Sequence, residues 1–211
     1  MAMEEPLYEN DYAAFCVAYT RAIVAWNNAE EAAREILTSL SAGGVGSTIA
    51  IYQLGNASLV DAIRTVCQFI KSIENDLAHE RADHVEHFAE GLDRLRSYRN
   101  FYVHQTRGVG KDADHGDYRA ILFGLDVKGG YSYIKHELTM ADLAAFTRHC
   151  FALEQYGQAI ARVVTRNALA RYAQPEAKPL ASLQKPTWPD RLKRSRESLL
   201  KPLRPSEPSG G

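Results

Sequence analysis

Leu95-Arg96-Ser97-Tyr98-Arg99-Asn100-Phe101-Tyr102-Val103-His104 gathers two guanidiniums, an amide and an imidazole in one short stretch. On a helix, Arg96, Asn100 and His104 recur every fourth residue and share a face. Arg99 lies one position round from Asn100, about 140° from His104 by helical geometry, and its long side chain bends toward the same ligand. A permanently charged guanidinium neutralises charge that develops on a phosphorus centre, and an imidazole titrating near neutrality moves a proton. The types and spacing therefore suit phosphodiester chemistry, with Arg99, Asn100 and His104 as the reactive set.

Such a set needs rigid elements, and the flanking pattern supplies helices. From Tyr12 to Leu40 the apolar positions Phe15, Ala18, Tyr19, Ala22, Ile23, Trp26, Ala29, Ala33, Ile36, Leu37 and Leu40 repeat at three and four, closing at Gly43-Gly44. A short helix is expected over Ser47–Leu54. A third opens at Ser58, paired with Asp61 in a capping-box spacing, and runs through Ile63, Val66, Cys67, Ile70 and Ile73. A fourth runs from about Ala82 to His104 on Val85, Phe88, Ala89, Leu92, Leu95 and Tyr102. The period then changes: Arg107–Asp117 is expected as a loop, and Tyr118–Val127 and Tyr131–Leu138 as two strands joined through Lys128-Gly129-Gly130. Thr139 and Asp142 repeat the capping-box spacing and start a last helix reaching about Tyr172.

In this setting Arg99-Asn100-x3-His104 resembles the R-x4-6-H signature of the HEPN superfamily, including the polar residue that commonly follows the Arg. A bare Arg-x4-His arises by chance in about half of chains of this composition, and requiring Asn or Asp after the Arg lowers this to roughly one in twenty. Asn100 and the helical setting thus carry most of the resemblance, which covers the third and fourth helices best and the long first helix acceptably. It implies a mainly α fold, an HEPN-like bundle of four to five helices with one inserted β-hairpin (about 118–138). It also implies a homodimer whose two motifs face one cleft, and a metal-independent endoribonuclease of toxin or defence type that uses no cofactor. HEPN toxins paired with a nucleotidyltransferase antitoxin often carry Tyr two residues after the motif His; here that position is Thr106. A non-catalytic HEPN-like dimeric interaction module is the alternative, with Arg99 and His104 holding structure, and an unrelated helical scaffold is a third, weaker reading.

Around the reactive set, Arg96 and Tyr102 on the same helix and Asn27 and Glu30 on the first helix are candidate supporting residues. Arg107 and Lys111 are weaker candidates for touching RNA backbone. Two other constellations lead elsewhere. His84-Val85-Glu86-His87, with His79 and Asp83 nearby, has one residue too few between its histidines for the zinc-protease patterns and reads as a solvated polar face, so no metal site is expected. Gly108-Val109-Gly110-Lys111 lacks the first glycine, the hydroxyl residue and the strand-to-helix order of a phosphate loop.

Composition bounds the rest. The chain has 211 residues, 45% hydrophobic and 24% charged, with a formal net charge of −1. That suits one globular body rather than two full domains. No window approaches 18 uninterrupted apolar residues, and the acidic start MAMEEPLYEND has no secretory pattern, so neither a membrane span nor a membrane partner is expected. Three separated cysteines, Cys16, Cys67 and Cys150, point to a reduced, cytoplasmic setting. Seven of the eight prolines lie after Gln174, and Gln174–Gly211 holds eight Lys and Arg against four acids. Residues 7–173 are expected to be the folded body at about −5 overall for 1–173. Residues 174–211 are expected to be a Pro-rich basic tail, disordered, that with the hairpin offers a surface to RNA or a protein partner.

Overall fold

In the computed structural model the described residues are 9–41, 45–72, 76–111, 118–126, 132–170, 183–190 and 196–198. They are mainly helical. Five helices, α1 (Glu9–Ser41), α2 (Val45–Tyr52), α3 (Asn56–Lys71), α4 (Asp76–Gln105) and α5 (Met140–Ala170), accompany four strands. The strands are β1 (Thr106–Lys111), β2 (Tyr118–Asp126), β3 (Ser132–Leu138) and β4 (Arg196–Ser198). Among the described residues no helix is long and apolar enough to cross a membrane.

The core forms where the three- and four-spaced faces of α1, α4 and α5 meet. Trp26, Phe88, Ile36, Leu92, Leu95, Leu143 and Leu153 are fully buried there. Trp26 stacks on Phe146 at 6.5 Å, tying α1 to α5. Gly157 lets the helices close up: a Cβ there would lie 2.5 Å from the Phe88 ring and 2.9 Å from the Ala32 methyl. α3 adds Leu59, Val60, Ile63 and Cys67 to the same core.

The caps separate two similar sequence signals. At α5 the box closes as the spacing predicts. The Thr139 N–H and hydroxyl both donate to Asp142 Oδ2, at 2.9 and 2.7 Å, and the Asp142 N–H donates back to Thr139 Oγ1 at 3.1 Å. Asp, one methylene shorter than Glu, still reaches. At α3 the box does not form: the helix begins at Asn56 behind an extended Gly55 that makes no side-chain cap, so Ser58 lies inside the first turn.

The four strands form one antiparallel sheet in the order β1-β2-β3-β4. Of the expected loop Arg107–Asp117, residues 112–117 lie outside the described residues, and 107–111 belong to strand β1, which enters directly from the end of α4. Two glycines weaken its intrinsic preference, but pairing with β2 overrides this, and the register skips one residue between Thr106 and Gly108. Arg107 is therefore the bulged residue. β2 and β3 pair from Ala120↔Leu138 to Asp126↔Ser132, and β4 pairs with β3 through Ile134↔Arg196. A lone hairpin is marginal in water and exposes both edges, and β1 and β4 occupy those edges. Val109, Ala120 and Leu138 are register partners, and this row packs against the helices, with Ala120 and Leu138 fully buried.

Of the stretch 174–211, expected as a disordered tail, residues 183–190 and 196–198 are described. Leu183–Asp190 has no regular secondary structure but lies on α4 and α5, with Leu183 and Trp188 packed against the core. A Pro-rich composition alone disfavours order; one tryptophan and a set of main-chain acceptors reverse the balance here.

Candidate functional site

α4 carries Arg99, Asn100 and His104 in its last two turns, and two groups fix the end of that helix. The Tyr19 hydroxyl of α1 donates to the Tyr102 carbonyl at 3.0 Å, satisfying an acceptor that a helix end leaves without an intrahelical partner. Tyr102 itself is 2% exposed, with its ring edge-on to Phe146 at 5.3 Å and near Tyr98 at 6.1 Å. Burial pushes its phenol pKa well up. Tyr102 thus supports the site by anchoring the helix rather than by facing a ligand.

Arg99 and Asn100 are half-buried, and His104 is exposed. Arg99 Nη1 donates to Asn100 Oδ1 at 3.2 Å and lies 3.3 Å from His104 Nε2. A guanidinium has donors only. A hydrogen bond between the two therefore has Nε2 as its acceptor. The three residues are brought together as the spacing predicts, through Arg99 bending across rather than through a shared helical face.

Glu30 on α1 completes the cluster. It is 7% exposed. Burial raises its pKa, and the charges of Arg34 and Arg99, with a smaller contribution from the Trp26 indole, oppose that without cancelling it. Glu30 Oε1 and Arg99 Nε are both buried without a hydrogen bond. A carboxylate in electrostatic reach of the guanidinium, but not bonded to it, leaves the Nη groups to the His104 side.

The remaining candidates separate. Asn27 is exposed on α1, so it does not join the set: the helical phase that buries Trp26 and Glu30 turns it outward. Arg96 is drawn away by a buried carboxylate. Asp93, 8% exposed, accepts from Arg96 at 2.7 Å and from Arg64 of α3 at 3.2 Å. Burial pushes the Asp93 pKa up, but these two hydrogen bonds outweigh it and leave the carboxyl below its usual range. Arg107 and Lys111 are placed as backbone on β1, and their side chains lie outside the described residues.

The histidine-rich stretch is a solvated face only in part: His79, Asp83 and Glu86 are exposed, and His84 and His87 are covered. His84 is 6% exposed and shares a 2.7 Å hydrogen bond with the Tyr156 hydroxyl. Burial, helped by the nearby Lys185 charge, pushes its pKa down. His87 Nε2 donates to the Pro186 carbonyl at 2.8 Å. Of the three histidines, only His79 is exposed. Among the described residues no three His, Cys, Asp or Glu side chains gather as a metal-ligand set. Burial pushes the Cys67 thiol up to about 11, and the Cys150 thiol higher still, so neither is a ready nucleophile at neutral pH.

The Arg64–Asp93–Arg96 bridge and the Trp188 strap were not read from the sequence. Asp93 and Arg96 at i,i+3 and the mid-helix Gly91 were the available signals. Comparison of the chain with family models, curated proteins and solved structures yields no match.

Proposed function

We propose that the protein is an HEPN-like, metal-independent endoribonuclease of toxin or defence type. The observation that carries this reading is Arg99 Nη1 lying within hydrogen-bonding distance of both Asn100 Oδ1 and His104 Nε2 at an accessible helix end. His104 Nε2 takes the proton of a ribose 2′-hydroxyl. The 2′-oxygen attacks phosphorus, the bond to the 5′-oxygen breaks, and that oxygen leaves with a proton. The products are a 2′,3′-cyclic phosphate and a 5′-hydroxyl, and DNA, lacking the attacking group, is not cut. Arg99 leaves His104 to neutralise the charge on the phosphorane, and Asn100 holds its guanidinium in place.

One imidazole serves as base or as acid in a given turnover. A homodimer that turns two motifs toward one cleft supplies the second. The body's excess of negative charge is a weak general attractant for RNA, so binding relies on the local cationic groups. A structural role for the motif requires Arg99 and His104 to be capped by carboxylates or main chain. The exposed imidazole, bonded to a guanidinium, weighs against that alternative, the non-catalytic dimeric interaction module.

The test is cleavage of end-labelled single-stranded and structured RNA in EDTA by wild type, Arg99→Ala and His104→Ala. Cyclic-phosphate ends from wild type, lost in both folded variants, are expected. A folded, dimeric wild type that leaves RNA intact at high protein concentration overturns catalysis in favour of the interaction module.

A further inference from the structure

The strap on α4 is held unlike the rest of the core. Along one stripe of α4, three side chains donate to main-chain carbonyls of the strap. His87 Nε2 donates to Pro186 at 2.8 Å, Arg94 Nη1 to Pro189 at 3.1 Å and the Tyr98 hydroxyl to Asp190 at 2.7 Å. Glu90 steadies Arg94 from the preceding turn at 2.6 Å, and Lys185 pairs with Asp83. Two of the three acceptors belong to prolines, residues that offer a carbonyl and no N–H. The stripe offers donors and aromatic rings, the chemistry that grips Pro-rich peptides elsewhere.

Trp188 supplies the specific contact. Its ring stacks on His87 at 5.2 Å and meets Tyr156 edge-on at 6.2 Å, and its indole N–H donates to the His87 carbonyl at 2.9 Å. That carbonyl also faces the Gly91 N–H within the helix, and its second lone pair is open because Gly91 has no side chain. A Cβ at Gly91 would lie 2.5 to 2.8 Å from three indole carbons. A glycine in a helix interior costs about 1 kcal/mol against alanine, and here it makes the seat for a tryptophan. Between these anchors Gln184 and Thr187 stay exposed, so the strap is gripped at intervals as a bound peptide is.

We infer that this α4–α5 groove is a peptide-recognition site for a tryptophan flanked by prolines, and that its occupant is the chain's own 183–190 segment, bound in cis as a separable ligand. Tethering gives the segment a local concentration on the order of millimolar, so the tail excludes free peptide until it is weakened or cut. The inference is independent of the ribonuclease reading, since none of the strap residues belongs to the reactive set.

A fluorescein-labelled peptide of residues 183–190 is the probe, followed by anisotropy against full-length protein. Folded Trp188→Ala, whose own tail no longer competes, takes up the peptide at least tenfold more tightly than wild type. Adding Gly91→Leu to Trp188→Ala abolishes the uptake. A peptide carrying Trp188→Ala binds roughly thirtyfold more weakly. Equal binding to wild type and Trp188→Ala, binding that survives Gly91→Leu, or binding indifferent to the peptide's tryptophan each overturns the proposal. Should Trp188→Ala not fold, the wild-type chain with a protease site between residues 174 and 181 replaces it. Uptake after cutting and none before is then expected, and uptake unchanged by cutting overturns it.

Discussion

His87 and His104 stand on one helix, yet the structure uses them in opposite ways. His87 is closed: its ring lies between Trp188 and Tyr156, and its Nε2 bonds to a tail carbonyl. His104 is open: it is exposed at the helix end, and its Nε2 meets a guanidinium. Arg94 and Arg99 differ likewise, the first shared between the Pro189 carbonyl and the Glu90 carboxylate and the second between the amide and imidazole beside it. Residue type alone does not tell the two settings apart. What separates them is that main-chain carbonyls of the packed 183–190 segment accept from His87 and Arg94, whereas Arg99 and His104 meet side chains of their own helix.

The comparison breaks first at the histidines. His104→Ala lowers RNA cleavage by at least about a hundredfold and shifts stability by less than about 0.5 kcal/mol, as an exposed substitution does. His87→Ala leaves cleavage unchanged and costs about 1–2 kcal/mol in urea unfolding, because the Pro186 carbonyl loses its donor and the indole its stacking partner. Matching losses of activity and stability in both variants would erase the distinction.

Two arginines one turn apart sharpen it. Arg99→Ala removes about a hundredfold or more of cleavage with little change in stability. Arg96→Ala costs about 1–3 kcal/mol, since the buried Asp93 carboxylate loses the guanidinium that donates to it at 2.7 Å. The bridge also sets a pH dependence. The Asp93 carboxyl titrates below its usual value in the folded state, so its stabilisation is present above the unfolded value of about 3.9 and is lost as pH falls through the folded one. Asp93→Asn is therefore less stable than wild type at pH 6 and loses less on acidification, as thermal unfolding across pH 6 to 2 will read.

How much of this was legible in the sequence follows from the range of the interactions. The helices were, because α1, α4 and α5 each bury a continuous apolar face whose spacing is a local property. The Thr139–Asp142 cap was local too, and the Arg99-Asn100-x3-His104 cluster needed only one helix to assemble. β1 was not legible, since a Gly-rich strand exists through its partner, and neither was the strap, where a tryptophan finds a glycine 97 positions earlier in the chain. His84 and His87 were misread for the same reason: a polar face is solvated only while nothing lies on it. Glu30 was identified and Asn27 was not separated from it, because three helical positions decide which of the two meets Arg99, and phase at that precision depends on the packing of α1.

The smallest and most discriminating effect is at Glu30. Burial outweighs the two arginines, so the folded-state pKa of its carboxyl is raised. For such a group the stabilising contribution is complete below the unfolded value of about 4.3 and is lost as pH rises through the folded one. At pH 7 the charged carboxylate is thus a net burden on the fold. Glu30→Gln, nearly the same size and uncharged, should unfold at a slightly higher temperature than wild type at pH 7 and at the same temperature near pH 3.5. If the carboxylate is retained because its field orients Arg99, the stabilised variant should cleave RNA more slowly, with the change in kcat rather than KM. If Glu30 serves the core alone, Glu30→Gln should gain stability and keep full activity, and Arg99 would be positioned by Asn100 and His104 unaided.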